Sequence, residues 1–177
     1  MARSWHDLGV ATTLAGRAEN PTQARVLKLL RDEGPQSRVV LGDRLGVSRT
    51  TIAAEVGRLV DLGLATDAGP AASRGGRRST LVDLAAGLRF VGIDIGATSI
   101  DVAVTDGRLS VMSQISEDSD VRVGPERVLA RSLEMTRKLL AELGIERPAG
   151  VGIGVPGPVD FHSGVPVTPP IMPGWDG

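Results

Sequence analysis

The sequence predicts a two-part chain of α+β and α/β character: three short helices with a two-stranded hairpin, then a mixed sheet with a helix on one face. Three observations predict it. Between Val26 and Val60 apolar residues recur every three to four positions, and glycines and capping residues cut the pattern into short helices. From Phe90 onward the pattern changes to Val- and Ile-rich runs with strand-like alternation. The charge changes sign at the same place: residues 1–88 hold 12 Lys/Arg against 9 Asp/Glu, and residues 89–177 hold 8 against 12. A basic first half suits a polyanionic partner; an acidic second half does not.

Composition narrows the function classes. Aromatic residues make up only 2% of the chain, so Ala, Val, Leu and Ile must fill any core. Cysteine is missing from the sequence, which excludes disulfides and thiolate metal sites within it. The opening residues hold no apolar run of signal-peptide length, and no stretch approaches a membrane span, so a cytoplasmic protein with no membrane partner is expected.

Residues 1–19 show no period and are expected to form a flexible arm. Asn20-Pro21 signals a helix start, Asn as the cap and Pro in the first turn. Val26, Leu29, Leu30 and Leu27 supply its apolar stripe, and Gly34-Pro35 ends it. A second helix is expected from about Ser37, burying Val40, Leu41 and Leu45, with Gly46 as the turn residue. Ser48 caps a third, whose stripe is Ile52, Val56, Leu59 and Val60 and which Gly63 ends.

Two short helices joined by a tight turn after a first helix make a helix-turn-helix. The buried stripe of the third helix fixes its orientation and leaves Ser48, Arg49, Thr50 and Thr51 facing outward, where Arg can bond guanine and Thr can meet a thymine methyl or a phosphate. Ser48 is read first as a cap. Leu64–Thr66 and Leu81–Leu84 are strand candidates around a Gly/Arg-rich loop, the signature of a β-wing. Arg74, Arg77 and Arg78 lie in that loop, and no acid occurs between Asp67 and Asp83, so these arginines are expected to contact DNA phosphates or a narrow minor groove. A winged helix-turn-helix DNA-binding domain over residues 20–86 follows.

Phe90–Thr98 is expected to be a buried strand ending in a Gly-containing turn, and Ser99–Thr105 its return strand, with Asp106-Gly107 as the next turn. Val111–Ile115 is a third strand, Pro125–Leu143 a helix closed by Gly144, and Ala149–Val155 a buried strand running into Pro156-Gly157-Pro158. Together they predict the mixed sheet of residues 89–177.

In order and spacing, SRVVLGDRLGVSRTTIAAEVGRLVDLGL, Gly75-Gly-Arg-Arg78, Asp94-Ile-Gly-Ala-Thr98, Gly152-Ile-Gly-Val-Pro-Gly-Pro-Val-Asp160 and Pro173-Gly-Trp-Asp176 resemble the ROK family (repressors, open reading frames, kinases), specifically its transcriptional regulators. The resemblance implies that residues 89–177 are the N-terminal portion of a ROK sensor domain, an incomplete actin-like, sugar-kinase-like (ribonuclease H-like) α/β fold. It also implies a repressor of sugar-related genes that responds to a sugar or sugar phosphate and works as a homo-oligomer, a dimer or a tetramer, with the dimer preferred. In the kinase relatives the turn at Asp94, Gly96 and Thr98 cradles ATP phosphates. Here Ala97 stands where kinases generally have a second Gly, so the nucleotide site is read as vestigial and the turn as one kept for the fold. Gly157 and Pro158 align with the loop that touches sugar in relatives, and a proline there offers a pocket wall at most.

The sequence lacks the family segments that carry the catalytic Asp, the sugar-binding Asn, the Glu-x-Gly-His run and the cysteine-rich zinc motif. No catalytic residue, metal site or cofactor is therefore expected, and the chain reads as an apparently truncated regulator and not an enzyme. Two isolated histidines, His6 and His162, make no metal site. Trp175 is read equally as a stacking surface and as a packing anchor. Two rival readings stand beside the regulator: an ATP-dependent sugar kinase, and a DNA-binding module that senses no effector.

Overall fold

The computed structural model describes residues 18–70, 79–160, 166–167 and 172–175. They divide into two compact units. One runs to Leu88 and also takes Asp106–Arg108; the other takes Arg89–Thr105 and the described residues from Leu109 onward.

The first unit is built from helices α1 (Pro21–Glu33), α2 (Arg38–Leu45) and α3 (Arg49–Asp61), with strands β1 (Gln36–Ser37), β2 (Ala65–Pro70) and β3 (Thr80–Leu84). Each helix begins on a side-chain cap: Asn20 accepts from the Gln23 amide, Ser37 from Val40 and Ser48 from Thr51. Gly46 ends α2 in the left-handed region, φ 67°, with its N–H on the Asp43 carbonyl and that of Val47 on Gly42. Gly63 ends α3 the same way, φ 67°, with its own N–H on Val60 and that of Leu64 on Leu59. This paired-bond ending needs positive φ, which a Cβ disfavours, and it turns the chain at once while satisfying the helix's last carbonyls. In the second ending it delivers Leu64, fully buried, into the core.

That core is aliphatic, as the composition requires: Val26, Leu27, Leu30, Leu41, Ile52, Val56, Leu59, Leu64, Val82 and Leu84 are all buried. Three expected core positions differ. Val40 and Val60 are exposed and Leu29 half-buried. A helix facing one neighbouring layer buries a single stripe, and α2 is only eight residues long, so Leu41 and Leu45 complete its buried side without Val40.

The sheet has order β1-β3-β2 and is antiparallel throughout, with Ala65 opposite Leu84 and Thr66 opposite Asp83. The expected first wing strand, Leu64–Thr66, begins at Ala65 and runs on to Pro70 through a register shift between Asp67 and Pro70. Strand β1 has no counterpart in the sequence reading. It is two residues, Gln36 opposite Val82 and Ser37 opposite Leu81, too short to show a period.

The second unit holds β4 (Arg89–Ile95), β5 (Ser99–Asp106), β6 (Val111–Asp118), a single 3-10 turn (Val121–Val123), helix α4 (Pro125–Glu142) and β7 (Gly150–Gly154). The strand order is β6-β5-β4-β7; β5 and β6 are antiparallel, while β4 and β7 are parallel after the crossover through α4. The third strand extends three residues beyond the expected Ile115, to Asp118. One face of the sheet packs with α4: Val91, Ile93, Ile95, Ile100, Val102 and Val104 join Val128, Met135, Leu139 and Leu140.

The two strands expected to be buried, Phe90–Thr98 and Ala149–Val155, are covered on that face alone. Gly92, Asp94, Gly152 and Gly154 are exposed on the other, and Ile153 is 46% exposed although its partner Ile93 is 3%. β7 lies at the sheet edge, where Val151 joins the buried cluster and Ile153, two residues on, does not. Helix α4 also buries two hydroxyls, Ser132 and Thr136, each satisfied within the helix by donating to the carbonyl four residues back, at 2.9 and 2.7 Å.

Candidate nucleic-acid interface

The residues that the sequence singles out in the first unit lie at the start of α3. The Schellman-type ending of α2 and the Ser48 cap are separated only by Val47, so the turn between the helices is short and closed by backbone bonds at both ends. Arg49, Thr50 and Thr51 are all exposed there. The structure sorts them. The Thr51 amide donates to Ser48 Oγ at 3.1 Å and the two hydroxyls lie 2.8 Å apart, so Thr51 belongs first to the cap. Arg49 and Thr50 project from the first turn without a part in that cap. Ala53 and Ala54, one turn further on, are exposed as well. They carry no charge or donor and so give no signal in the sequence, although exposed methyl groups on a helix that enters a major groove are suited to contact with thymine methyls.

Removing the cap tests this arrangement. Ser48→Ala is expected to destabilise the unit by about 0.5–2 kcal/mol and to raise amide exchange at Thr51. Unchanged exchange at that amide would show that the cap bond does not hold the helix start.

The helix is held from behind by polar groups. Asn20 Nδ2 donates to Glu55 Oε2 at 2.9 Å and Gln23 Nε2 donates to the same oxygen at 2.8 Å. These amide donors, Asn20 first, hold the Glu55 carboxyl below its ordinary pKa. Arg58 Nη1 stands 3.5 Å from the other oxygen. Arg38, in the first turn of α2, pairs with Asp67 of β2 at 3.0 Å and ties the helix to the first wing strand. Sequence reasoning missed Gln23 and Glu55: a glutamine and a glutamate on amphipathic helices ordinarily read as solvent-facing.

Strands β2 and β3 form the wing hairpin, but Arg74, Arg77 and Arg78 lie outside the described residues, as do His6 and His162.

In the second unit, the turns that follow β4 and β7 leave the same end of the sheet, because those strands are parallel and Asp94 is in register with Gly154. Carboxyl ends of parallel strands are where α/β sheets commonly bind ligands. Gly154 matters to this pairing: a Cβ there would lie 3.1 Å from Asp94 Oδ1. Gly96 donates to the Ser99 carbonyl at 2.9 Å, and the Ala97 and Thr98 carbonyls accept from Val121 and Ser119. The Asp94–Thr98 turn is thereby stitched to the segment after β6. Gly157 donates to Val155, and the Pro158 carbonyl accepts from Val167 at 2.8 Å. Trp175 is a packing anchor: 6% exposed, its indole N–H donates to the Val121 carbonyl at 3.1 Å.

A three-helix unit with a capped, outward-facing third helix and a β-hairpin wing is a winged helix-turn-helix, and the second unit is a mixed four-stranded sheet with a crossover helix. Residues 19–66 match the winged helix-turn-helix DNA-binding family. The crystal structure of a ROK family transcriptional regulator, a homologue of the E. coli MLC protein, superposes with a TM-score of 0.65 at 23% identity, covering 85% of this chain and 39% of that one. The glucokinase of Thermotoga maritima is 32% identical over 88 residues, 50% of this chain and 27% of the glucokinase. A putative sugar kinase from Cytophaga hutchinsonii is 26% identical, with a TM-score of 0.40 over 50% of this chain and 29% of its own.

The chain therefore has a winged helix-turn-helix over residues 19–66, and 85% of it shares the fold of the ROK regulator structure. It spans about two-fifths of the length of the regulator and about a quarter of that of the glucokinase. No helix among the described residues is long and apolar enough to cross a membrane.

Proposed function

We propose that the chain is a sequence-specific repressor of sugar-related genes, acting as a dimer on a near-palindromic operator and responding to a sugar or sugar phosphate. The observation that carries the DNA-binding reading is the Ser48-capped start of α3, which leaves Arg49 and Thr50 exposed within a matched winged helix-turn-helix. Helix α3 enters the major groove, Arg49 reads a base edge, and Ser48 and Thr51 sit where a phosphate passes. Arg74, Arg77 and Arg78 of the wing clamp the duplex through its phosphates. A dimer places two half-sites one helical turn, about 34–36 Å, or a multiple of it apart.

The sugar response rests on the likeness of the second unit to sugar-kinase folds and on the convergence of the Asp94–Thr98 and Gly157-Pro158 turns at one end of the parallel strand pair. A sugar acts on operator binding only through different affinity for the DNA-competent and incompetent states. The reading is of a regulator without kinase activity, since Ala97 and Pro158 weaken the two places a kinase uses for phosphate and sugar. Hexose-dependent ATP turnover by the purified chain would reverse that part of the proposal.

The test is binding of the purified chain to duplexes from the neighbourhood of its own gene, at several salt concentrations, with and without a panel of sugars. Selective binding shifted by one sugar supports the whole reading; selective binding shifted by none removes the effector from it. Lack of selectivity at every salt overturns it. In the same assay Arg77→Ala is expected to weaken binding to all duplexes alike and to flatten the log–log salt dependence by about one unit. An unaltered slope would take Arg77 off the phosphate contacts.

A further inference from the structure

The polar cluster behind α3 goes beyond what a helix-turn-helix needs in order to pack. Gln23 is fully buried, yet every polar atom of its side chain is used: its carbonyl oxygen accepts from the Glu19 amide at 2.8 Å, and its Nε2 donates to Glu55 at 2.8 Å. Asn20 does two jobs, capping α1 through Oδ1 and reaching Glu55 through Nδ2. Both amides converge on one oxygen of one carboxylate, 32 and 35 residues away in sequence. The Glu55 side chain keeps only 13% of its exposure, and its other oxygen faces Arg58 of the same helix at 3.5 Å.

Apolar contacts between helices are non-directional and tolerate sliding and rotation. Two hydrogen bonds to one oxygen are directional and do not. Glu55 follows Arg49 by six positions, a rise of about 9 Å along the helix, so a small rotation about the Glu55 contact moves the reading end. Side chains that bind a ligand have to be held within about 0.5 Å of their productive geometry by the residues that support them.

We infer that Asn20, Gln23 and Glu55 form a positioning clamp that sets the angle at which α3 presents Arg49 to the duplex, and so determines base discrimination without touching DNA. The inference rests on the DNA-binding reading above.

Three full-length variants test it against a duplex selected by the unsubstituted chain from a random-sequence library, and against single-mismatch relatives of that duplex. Glu55→Gln keeps an oxygen able to accept both amide bonds and is expected to retain discrimination within about twofold. Glu55→Ala removes the acceptor, and Gln23→Leu removes one donor while keeping an apolar side chain of similar size. Both are expected to lower discrimination about five- to tenfold, measured against mismatches that each cost roughly 1–3 kcal/mol, with the salt slope and the far-ultraviolet circular dichroism unchanged.

If Glu55→Ala does not fold, Gln23→Leu decides alone. Undiminished discrimination in the folded variants overturns the clamp. So does a pattern in which Glu55→Gln and Glu55→Ala behave alike and both tighten binding to every duplex, which is what loss of a negative charge near phosphate alone would give. Failure of the unsubstituted chain to select any duplex overturns the functional reading itself, and is distinguishable because it needs no variant.

Discussion

Leu59→Ala is expected to lower the stability of the first unit by about 2–5 kcal/mol, the range for truncating a buried leucine. Leu59 is fully buried in α3, and its carbonyl accepts the Leu64 amide bond that closes the helix. The substitution therefore empties core volume at the point where helix, turn and wing strand meet, and the aliphatic neighbours can collapse into it only in part. Domains of this size have about 5–15 kcal/mol in all, so the midpoint of urea unfolding should fall markedly. The slope against denaturant should stay the same, because the surface exposed on unfolding is nearly unchanged. A loss below about 1 kcal/mol would place Leu59 among surface positions and contradict the packing described.

Arg49→Ala carries the largest expected effect on binding. A bidentate arginine contact to guanine is worth about 1–3 kcal/mol of discrimination, so affinity for the operator should fall about 5- to 150-fold. Preference at one base pair should relax while the others remain. Binding to unrelated duplexes should change little, in contrast to Arg77→Ala, which acts on all sequences. The measurement is a competition titration against all four base pairs at each operator position. Discrimination that stays intact at every position would assign Arg49 to solvent or phosphate and move base reading to Thr50, Ala53 and Ala54.

Much of the first unit is legible because its signals are local. Asn20, Ser37 and Ser48 each cap a helix with a bond to an amide three residues on, and Gly46 and Gly63 end helices where a side chain would be strained. Such features need only four or five neighbouring residues, so spacing reveals them. The wing strands are legible for the same reason: an apolar pair on either side of a Gly-rich loop. Strand β1 is not, since two residues after a proline acquire strand character only through Val82 and Leu81 of a distant strand.

The candidate interface divides along the same line. Arg49, Thr50 and Ser48 follow from the position of the turn. The participation of Thr51 in the cap and the exposure of Ala53 and Ala54 depend on side-chain geometry. Gln23 and Glu55 could have been found only as polar residues close to an apolar stripe, a weak signal, because most such residues face water.

The sequence by itself determined the helices, the caps at Asn20 and Ser48, the turn that makes a helix-turn-helix, the aliphatic character of both cores and the mixed sheet with its crossover helix. Only the tertiary structure decided which faces are covered. It exposed Val40 and Val60, left Gly92, Asp94 and Gly154 open on one side of the sheet, buried Trp175 against Val121, and joined Asn20 and Gln23 to Glu55. The physical reason is range. Propensity, capping and turn chemistry act between residues a few positions apart, whereas burial and the pairing of polar groups are settled by whatever distant segment packs opposite.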